Sequence, residues 1–197
     1  MDKGRLEAFS DGVLAIIITI MVLELKPPQG TSWSALQPLI PTLASYILSF
    51  IYVGIYWNNH HHMLQAAKHV NGAVLWANLH LLLWLSLVPI ATTWLGTTGI
   101  ACVPAAIYGF LLFMAGVAYF ILAQLIAANG KGSELAQALG KDFKGKLSVV
   151  FYAIAIAIAF LQPVVSCVIY VLVAVMWLVP DQRFEHLYAA RSSASDG

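Results

Sequence analysis

Long apolar stretches with almost no charge dominate this chain and limit what it can fold into. A membrane-spanning helix needs about 20 largely apolar residues to cross roughly 30 Å of hydrocarbon. Six stretches qualify, the last two being short, at approximately residues 7–26, 34–62, 70–95, 101–128, 147–162 and 164–180. We therefore predict an all-α integral membrane protein in which residues 1–197 form a single domain of six transmembrane helices.

The composition indicates the same class of protein. Hydrophobic residues make up 60% of the chain and charged residues 10%, whereas a soluble domain carries roughly 25% charged residues. The formal net charge of +1 gives no electrostatic reason to expect a nucleic-acid partner. Cys102 and Cys167 lie far apart inside apolar stretches, so we expect neither a disulfide nor a metal site from them.

Basic residues lie almost entirely on one side of this six-span arrangement. Nine of the ten lysines and arginines fall on that side, and Lys26 is the exception. The positive-inside rule then predicts that both termini, including a polar tail over residues 181–197, are cytoplasmic. We expect a multi-pass protein of the cell membrane.

The first helix carries a stripe of apolar side chains along one face. At 100° per residue, Ile16, Ile20 and Leu23 lie within about 40° of one another, and Thr19 lies on the shoulder of the stripe. Any helix that faces lipid has such a stripe. The periodicity alone therefore does not assign these residues to a pore.

Charged residues crowd the entrance of the same helix. Asp11 lies about one turn inside the apolar stretch, and an ionisable group inside a span needs a partner because its burial costs free energy. Arg5 is six residues earlier and more than half a turn away in angle, so the two cannot form a simple i,i+4 pair. The partner is another helix, another subunit, or an Arg5 that reaches over from a non-helical start. Candidates at the same depth in helix two are Asn58, Asn59, His60, His61 and His62.

The three consecutive histidines of helix two also raise the question of a metal site. Successive helical residues diverge by 100°, so His60, His61 and His62 cannot converge on one ion as an i,i+4 pair can. We therefore predict no metal site and no cofactor. Nothing in the sequence places a nucleophile beside a base, so we do not expect an enzyme.

The stretch RLEAFSDGVLAIIITIMVLEL, residues 5–25, carries a recognisable motif. It resembles the Arg-x-x-x-Phe-Ser-Asp signature of the small bacterial potassium channels related to the animal endolysosomal channel, transmembrane protein 175. The likeness extends through SYILSFIYVGIYWNNHHHML in helix two and LHLLLWLSLVPIATTWLG in helix three. It covers about the first half of the chain, while the later helices match in hydropathy and length only.

The resemblance implies a homotetramer in which helix one of each subunit lines a pore for monovalent cations, chiefly potassium. It implies no re-entrant pore loop, and the chain indeed has no Thr-Val-Gly-Tyr-Gly stretch. By position in the motif, Ile16 corresponds to the narrowest constriction of a hydrophobic gate, with Ile20 and Leu23 as further rings. Thr19 corresponds to the hydroxyl linked to a modest preference for potassium over sodium.

The resemblance also assigns the polar entrance to a network that holds the pore helices, with His60 or His61 as the partner from helix two. The network residues in helix one are Arg5, Phe9, Ser10 and Asp11. Beyond the stripe, Glu24 either raises the cation concentration at the pore mouth or pairs with Lys26. The alternative function is a proton-coupled secondary transporter that uses Asp11 and the histidines of helix two as a relay.

Overall fold

The structure, a computed structural model, describes residues 3–67, 70–129 and 143–178. Every regular element in these ranges is a helix, which confirms the predicted all-α fold. The predicted polar tail, 181–197, lies outside the described residues. The elements are α1 (Lys3–Leu23), a 3₁₀ helix (Trp33–Leu39), α2 (Ile40–Ala66), α3 (Gly72–Ser86), α4 (Val88–Thr97), α5 (Cys102–Asn129), α6 (Phe143–Ala159) and α7 (Pro163–Leu178).

Four helical segments in the described ranges are long and apolar enough to cross a membrane. They are Lys3–Leu23, Trp33–Gln65, Gly72–Thr97 and Cys102–Asn129. The helices α6 and α7 are shorter, with 17 and 16 residues, and 16 helical residues extend over about 24 Å. The chain is therefore a multi-pass membrane protein.

The third span, which the sequence predicted over residues 70–95, is divided into two helices. α3 ends at Ser86 and α4 begins at Val88, and the backbone N–H of Leu87 donates to the carbonyl of Trp84 instead of continuing the α-helical pattern. Pro89 explains the break because proline has no N–H to donate and its ring crowds the preceding turn.

The prolines of the other spans lie near helix starts, where proline is tolerated. Pro41 lies in the first turn of α2, and Pro104 is the third residue of α5. Between α4 and α5 the chain turns within residues 98–101, with Gly99 and Ile100 both at a φ of 64°. That segment is too short to enter the membrane and return.

The core forms because small residues let the helices approach closely. α1 packs against α2, α3 and α4, whereas α5 packs against α3, α4, α6 and α7. A Cβ added at Gly96 of α4 would lie 2.5 Å from the Cα of Thr42 in α2. On the other side of the bundle, the hydroxyl of Tyr170 lies over Gly109 and donates to the carbonyl of Ala105 at 3.0 Å. These two close approaches hold α4 against α2 and α7 against α5.

Candidate functional site

The two faces of α1 have different environments. The face that packs on the bundle is fully buried and consists of Leu6, Ser10, Leu14, Ile17 and Met21. The opposite face carries the stripe predicted from the sequence, and it is exposed in the single subunit. Ile16 is 58% exposed, Ile20 43% and Leu23 81%. The stripe is therefore free to contact lipid, a lumen or another subunit.

A groove runs beside this stripe, between α1 and α4. It has a volume of about 590 Å³. From α1 the groove is lined by Val13, Ile16, Ile17, Ile20 and Glu24, and from the third span by Ser86, Pro89, Ile90, Thr93 and Trp94. Large apolar side chains such as Ile90, which is 70% exposed, are unpartnered here in one subunit. A second helix laid along α1 would cover them.

Thr19 lies beside the stripe and is exposed. Its hydroxyl donates a hydrogen bond to the carbonyl of Ile16 at 2.8 Å. This is the local bond that threonine commonly makes in a helix. It uses the proton of the hydroxyl and leaves oxygen lone pairs, which are the groups that contact a cation.

A buried chain of hydrogen bonds joins the entrance of α1 to α3 and α2. The amide of Asn78 in α3 donates to Oγ of Ser10 at 2.9 Å, and its Oδ1 lies 2.6 Å from Nε2 of His60 in α2. Oγ of Ser10 in turn donates to the carbonyl of Leu6 at 2.9 Å. Ser10, Asn78 and His60 are all buried. Buried polar groups need hydrogen-bond partners, and in this chain each side chain provides one for its neighbour.

Asp11 has a different partner in α2 from the one expected. Its Oδ1 accepts a hydrogen bond from the indole Nε1 of Trp57 at 3.0 Å. His61 stacks on the Trp57 ring, with ring centroids 6.2 Å apart, and lies 2.7 Å from Nε2 of Gln65. We expected His60 or His61 to bind Asp11. In this subunit His60 joins the network at Ser10, through Asn78, and His61 stacks on the Trp57 that binds Asp11, so a direct histidine partner for Asp11 stays a prediction.

Arg5 and Phe9 are exposed on the subunit surface. Within the described part of one subunit, Arg5 makes no hydrogen bond or ion pair, while Oε1 of Glu7 is buried without a hydrogen-bond partner. An intrahelical pair between Arg5 and Asp11 is therefore not formed, as the helical spacing predicted. Of the three alternatives that the sequence left open for Asp11, its bond from Trp57 in α2 corresponds to a partner on another helix.

The remaining candidates lie apart from this network. Glu24 and Lys26 are both exposed, and no ion pair joins them in the described chain. Among the residues that the structure describes, no group of three or more histidine, cysteine, aspartate or glutamate side chains is placed to hold a metal ion.

Trp57 and Asn78 are the site residues that the sequence analysis missed. Trp57 precedes His61 by four residues, so helical spacing places both on one face of α2. This spacing indicated Trp57, whereas the sequence prediction for helix two named only asparagines and histidines. Asn78 gave no comparable signal, because its role depends on how α3 packs against α1.

Comparisons with known proteins agree with this architecture. The family model described as "Endosomal/lysosomal potassium channel TMEM175" matches residues 5–89. A potassium channel of Chryseobacterium sp. is 58% identical over 186 residues, which are 94% of this chain and 97% of the relative. A potassium channel of Streptomyces collinus is 36% identical over 60% of this chain and 61% of its own length. The crystal structure of a lysosomal potassium-selective channel TMEM175 homolog from Chamaesiphon minutus superposes with a TM-score of 0.80 at 27% identity, covering 90% of this chain and 96% of that one.

Proposed function

The chain belongs to the TMEM175 family, and we propose that it is a cation channel that prefers potassium over sodium. The Chryseobacterium relative that bears the name potassium channel matches along 97% of its own length, so the likeness is not confined to one helix. The fold matches a solved potassium-selective homolog over 90% of the chain.

The exposed stripe of α1 is the observation that supports a pore lined by this helix. A helix that packs one face on its own subunit and presents Ile16, Ile20 and Leu23 on the other can assemble around an axis with its copies. In a homotetramer, four isoleucines at one level close the lumen by occlusion and dewetting, without a charged plug. Ile16 forms the narrowest ring of this hydrophobic gate, and Ile20 and Leu23 form the wider ones.

The network at the start of α1 sets the direction in which the stripe faces. Ser10 and Asp11 are adjacent, so they diverge by 100° around the helix, and they bind different partners, Asn78 and Trp57. Two bonds in different directions oppose rotation of α1 about its axis. The gate residues, which begin about one and a half turns further along at Ile16, are held in register by these contacts.

The channel lies in the cell membrane with both termini in the cytoplasm, which is the orientation that the positive-inside rule favours. Glu24 then lies at the extracellular mouth, beyond the gate, where its charge attracts cations. The permeant ion is potassium, and the mechanism uses no cofactor and no chemical step.

A proton-coupled transporter is the less favoured reading. Such a carrier needs a titratable group on the transport path near the middle of the membrane. On α1 no titratable residue lies between Asp11 and Glu24. Asp11 is already the acceptor of the Trp57 indole N–H, which suits an anchor better than a relay.

Reconstitution into planar bilayers tests the proposal. Under opposed gradients of potassium and sodium, the reversal potential of a channel should move toward the potassium equilibrium potential. It should stay there when a pH gradient of one unit is added. A reversal potential that follows the pH gradient, or transport that requires it, would establish the carrier instead. Empty bilayers and bilayers with denatured protein are the controls.

A further inference from the structure

A second cavity lies away from the pore helix, between α2, α5 and α6. Its volume is about 310 Å³, and it is lined by Tyr52, Ile55, Tyr56, Asn59, Gly116, Val117, Tyr119, Phe120, Gly145, Lys146, Ser148, Val149, Tyr152 and Trp177. No residue of α1 contributes to it. The volume lies at the lower end of the range for small-molecule sites, so it suits part of an extended ligand.

The inner wall of the cavity is aromatic and apolar, and Gly116 is part of it. A Cβ added at Gly116 would lie 3.8 Å from the hydroxyl of Tyr56 and 3.9 Å from Cε2 of Tyr152. These are ordinary contacts, so the space beside Gly116 is open. Tyr56 is only 9% exposed, and its hydroxyl makes no hydrogen bond to another described residue. The cavity therefore offers one free donor within an apolar pocket.

One positively charged side chain lies on the exposed side of the cavity. Lys146 is exposed and is the one charged residue among the described residues that line the cavity. The neighbouring polar groups are engaged within the subunit, since Trp177 Nε1 donates to Oγ of Ser148 at 2.8 Å and Asn59 Nδ2 donates to the carbonyl of Ile55 at 2.8 Å. The ammonium of Lys146 is the group available to a ligand.

An apolar pocket between membrane helices with a lysine at its mouth matches an anionic amphiphile. We propose that the cavity is a binding site for an anionic phospholipid, with one acyl chain inside it and the phosphate at Lys146. The bilayer supplies such molecules at high local concentration, and anionic headgroups are attracted to lysines at the membrane surface. Tyr56 can donate its free hydroxyl to an ester carbonyl of the chain. Trp177, at the same mouth, is a residue type enriched at the membrane–water interface.

The ligand chemistry can be tested by titrating the purified, delipidated channel with phosphatidylglycerol in detergent. Native mass spectrometry counts bound lipids, and thermal unfolding reports the stabilisation that binding produces. We expect tighter binding of phosphatidylglycerol than of phosphatidylcholine with the same chains, and no binding of glycerol phosphate, which has no chain. Equal binding of the two lipids would overturn the role of Lys146, and binding of glycerol phosphate would show a site for free anions.

Two substitutions locate the binding within this cavity. Lys146→Gln should weaken phosphatidylglycerol binding about fivefold, since one lysine near the membrane surface is worth about 1 kcal/mol, and should leave phosphatidylcholine unchanged. Gly116→Leu should abolish the bound lipid by filling the pocket. The matched controls are Lys26→Gln, at an exposed lysine outside the cavity, and Gly54→Leu, at a membrane glycine with no neighbouring atom within 4 Å.

The results of these measurements distinguish a lipid bound in the cavity from general charge attraction and from a second subunit. If Lys146→Gln and Lys26→Gln lose the same affinity, the lipid binds by general charge attraction and the proposal fails. If Gly116→Leu binds lipid like the parent protein, the chain does not enter this pocket. If no lipid binds the parent while Gly116→Leu lowers the tetramer content, the cavity is filled by a second subunit instead. None of these measurements depends on potassium conduction, so they stand apart from the test of the channel itself.

Discussion

At the scale of single residues, Ile16 is the position where conduction should respond most strongly to substitution. β-Branched side chains are stiff at χ1, so the proposed ring of four isoleucines would not open by changing rotamers. Ile16→Asn has a similar volume but offers hydrogen bonds to water, each worth about 0.5–1.5 kcal/mol. Lowering the free-energy barrier to ion passage by about 1.4 kcal/mol raises the rate of passage roughly tenfold. We expect at least that increase in resting potassium conductance, with weaker selectivity and an intact tetramer.

Single-channel recording and size-exclusion chromatography check this prediction. Val168→Asn is the matched control, because Val168 is a β-branched residue that is exposed on α7, away from the stripe. An unchanged conductance for Ile16→Asn, together with an open pore for the same change at Ile20 or Leu23, would move the constriction to another ring. If none of the three changes conduction, α1 does not line the pore.

Thr19 tests a finer property, the preference for potassium over sodium. Its hydroxyl proton is engaged by the carbonyl of Ile16, but its oxygen lone pairs are available to a cation. Thr19→Val removes the oxygen and keeps the shape, so the permeability ratio should fall toward one while assembly is unchanged. Thr19→Ser keeps the oxygen and should retain most of the preference. Reversal potentials in mixed potassium and sodium measure both. Equal ratios in the three proteins would leave Thr19 with a packing role only.

At the scale of elements, the contact of α1 with α2 and α3 depends on Asn78, the link between Ser10 and His60. Asn78→Leu puts an apolar side chain of similar size in its place, which removes the bond to Nε2 of His60 and the donor to Oγ of Ser10, although Ser10 keeps its bond to the carbonyl of Leu6. Each unsatisfied buried group costs about 1–3 kcal/mol. The variant should lose about 2–4 kcal/mol of stability, and the tetramer yield should fall with it.

Thermal unfolding in detergent measures that loss. Ser86→Ala is the control on the same helix, because Ser86 is exposed and bonds only to the carbonyl of Leu83. That change should stay within about 0.5 kcal/mol of the parent. If Asn78→Leu is as stable as Ser86→Ala, the buried chain of hydrogen bonds does not hold α1 in place.

The features that the sequence predicted are local, whereas the features that it did not predict depend on tertiary packing. Hydropathy predicted the helices because the length of an apolar stretch is a local property, and periodicity placed Ile16, Ile20 and Leu23 on one face. The form of the break at Leu87 could not be predicted from Pro89 alone, because proline can either kink or end a helix, and the packing of the neighbours decides which. The partners of Ser10 and Asp11 were missed because they lie on other helices. No spacing within α1 specifies that Trp57 and Asn78 approach it.

At the scale of the whole molecule, the proposed gate would be shared between the chains of a homotetramer. In one subunit the α1 stripe is exposed and the groove beside α4 is open. An isolated subunit would therefore leave its own gate residues unpartnered. A closed symmetric assembly places equivalent side chains at one level around the axis, so that each subunit contributes one quarter of each ring.

Mixing subunits tests this shared gate directly. Ile16→Phe overfills the ring and should suppress potassium flux in the pure variant, with normal assembly. When parent and variant are co-expressed in equal amounts, random assembly leaves roughly one tetramer in sixteen with no phenylalanine. If one phenylalanine is enough to occlude the lumen, the flux of the mixture should fall far below half of the parent value.

Potassium flux is measured in liposomes that contain the co-purified mixture, and mass spectrometry determines the ratio of the two chains. The result is the dependence of flux on the fraction of variant chains. Mixtures with Val168→Phe should conduct like the parent at every ratio, because Val168 lies on α7 and not on α1. Each further variant subunit narrows the same lumen, so flux should fall more steeply than the parent fraction if the ring is shared. A flux that falls in simple proportion to the parent fraction, reaching half at equal amounts, would mean that each chain carries its own pathway. That result would exclude a common axis lined by α1, even if the protein conducts potassium.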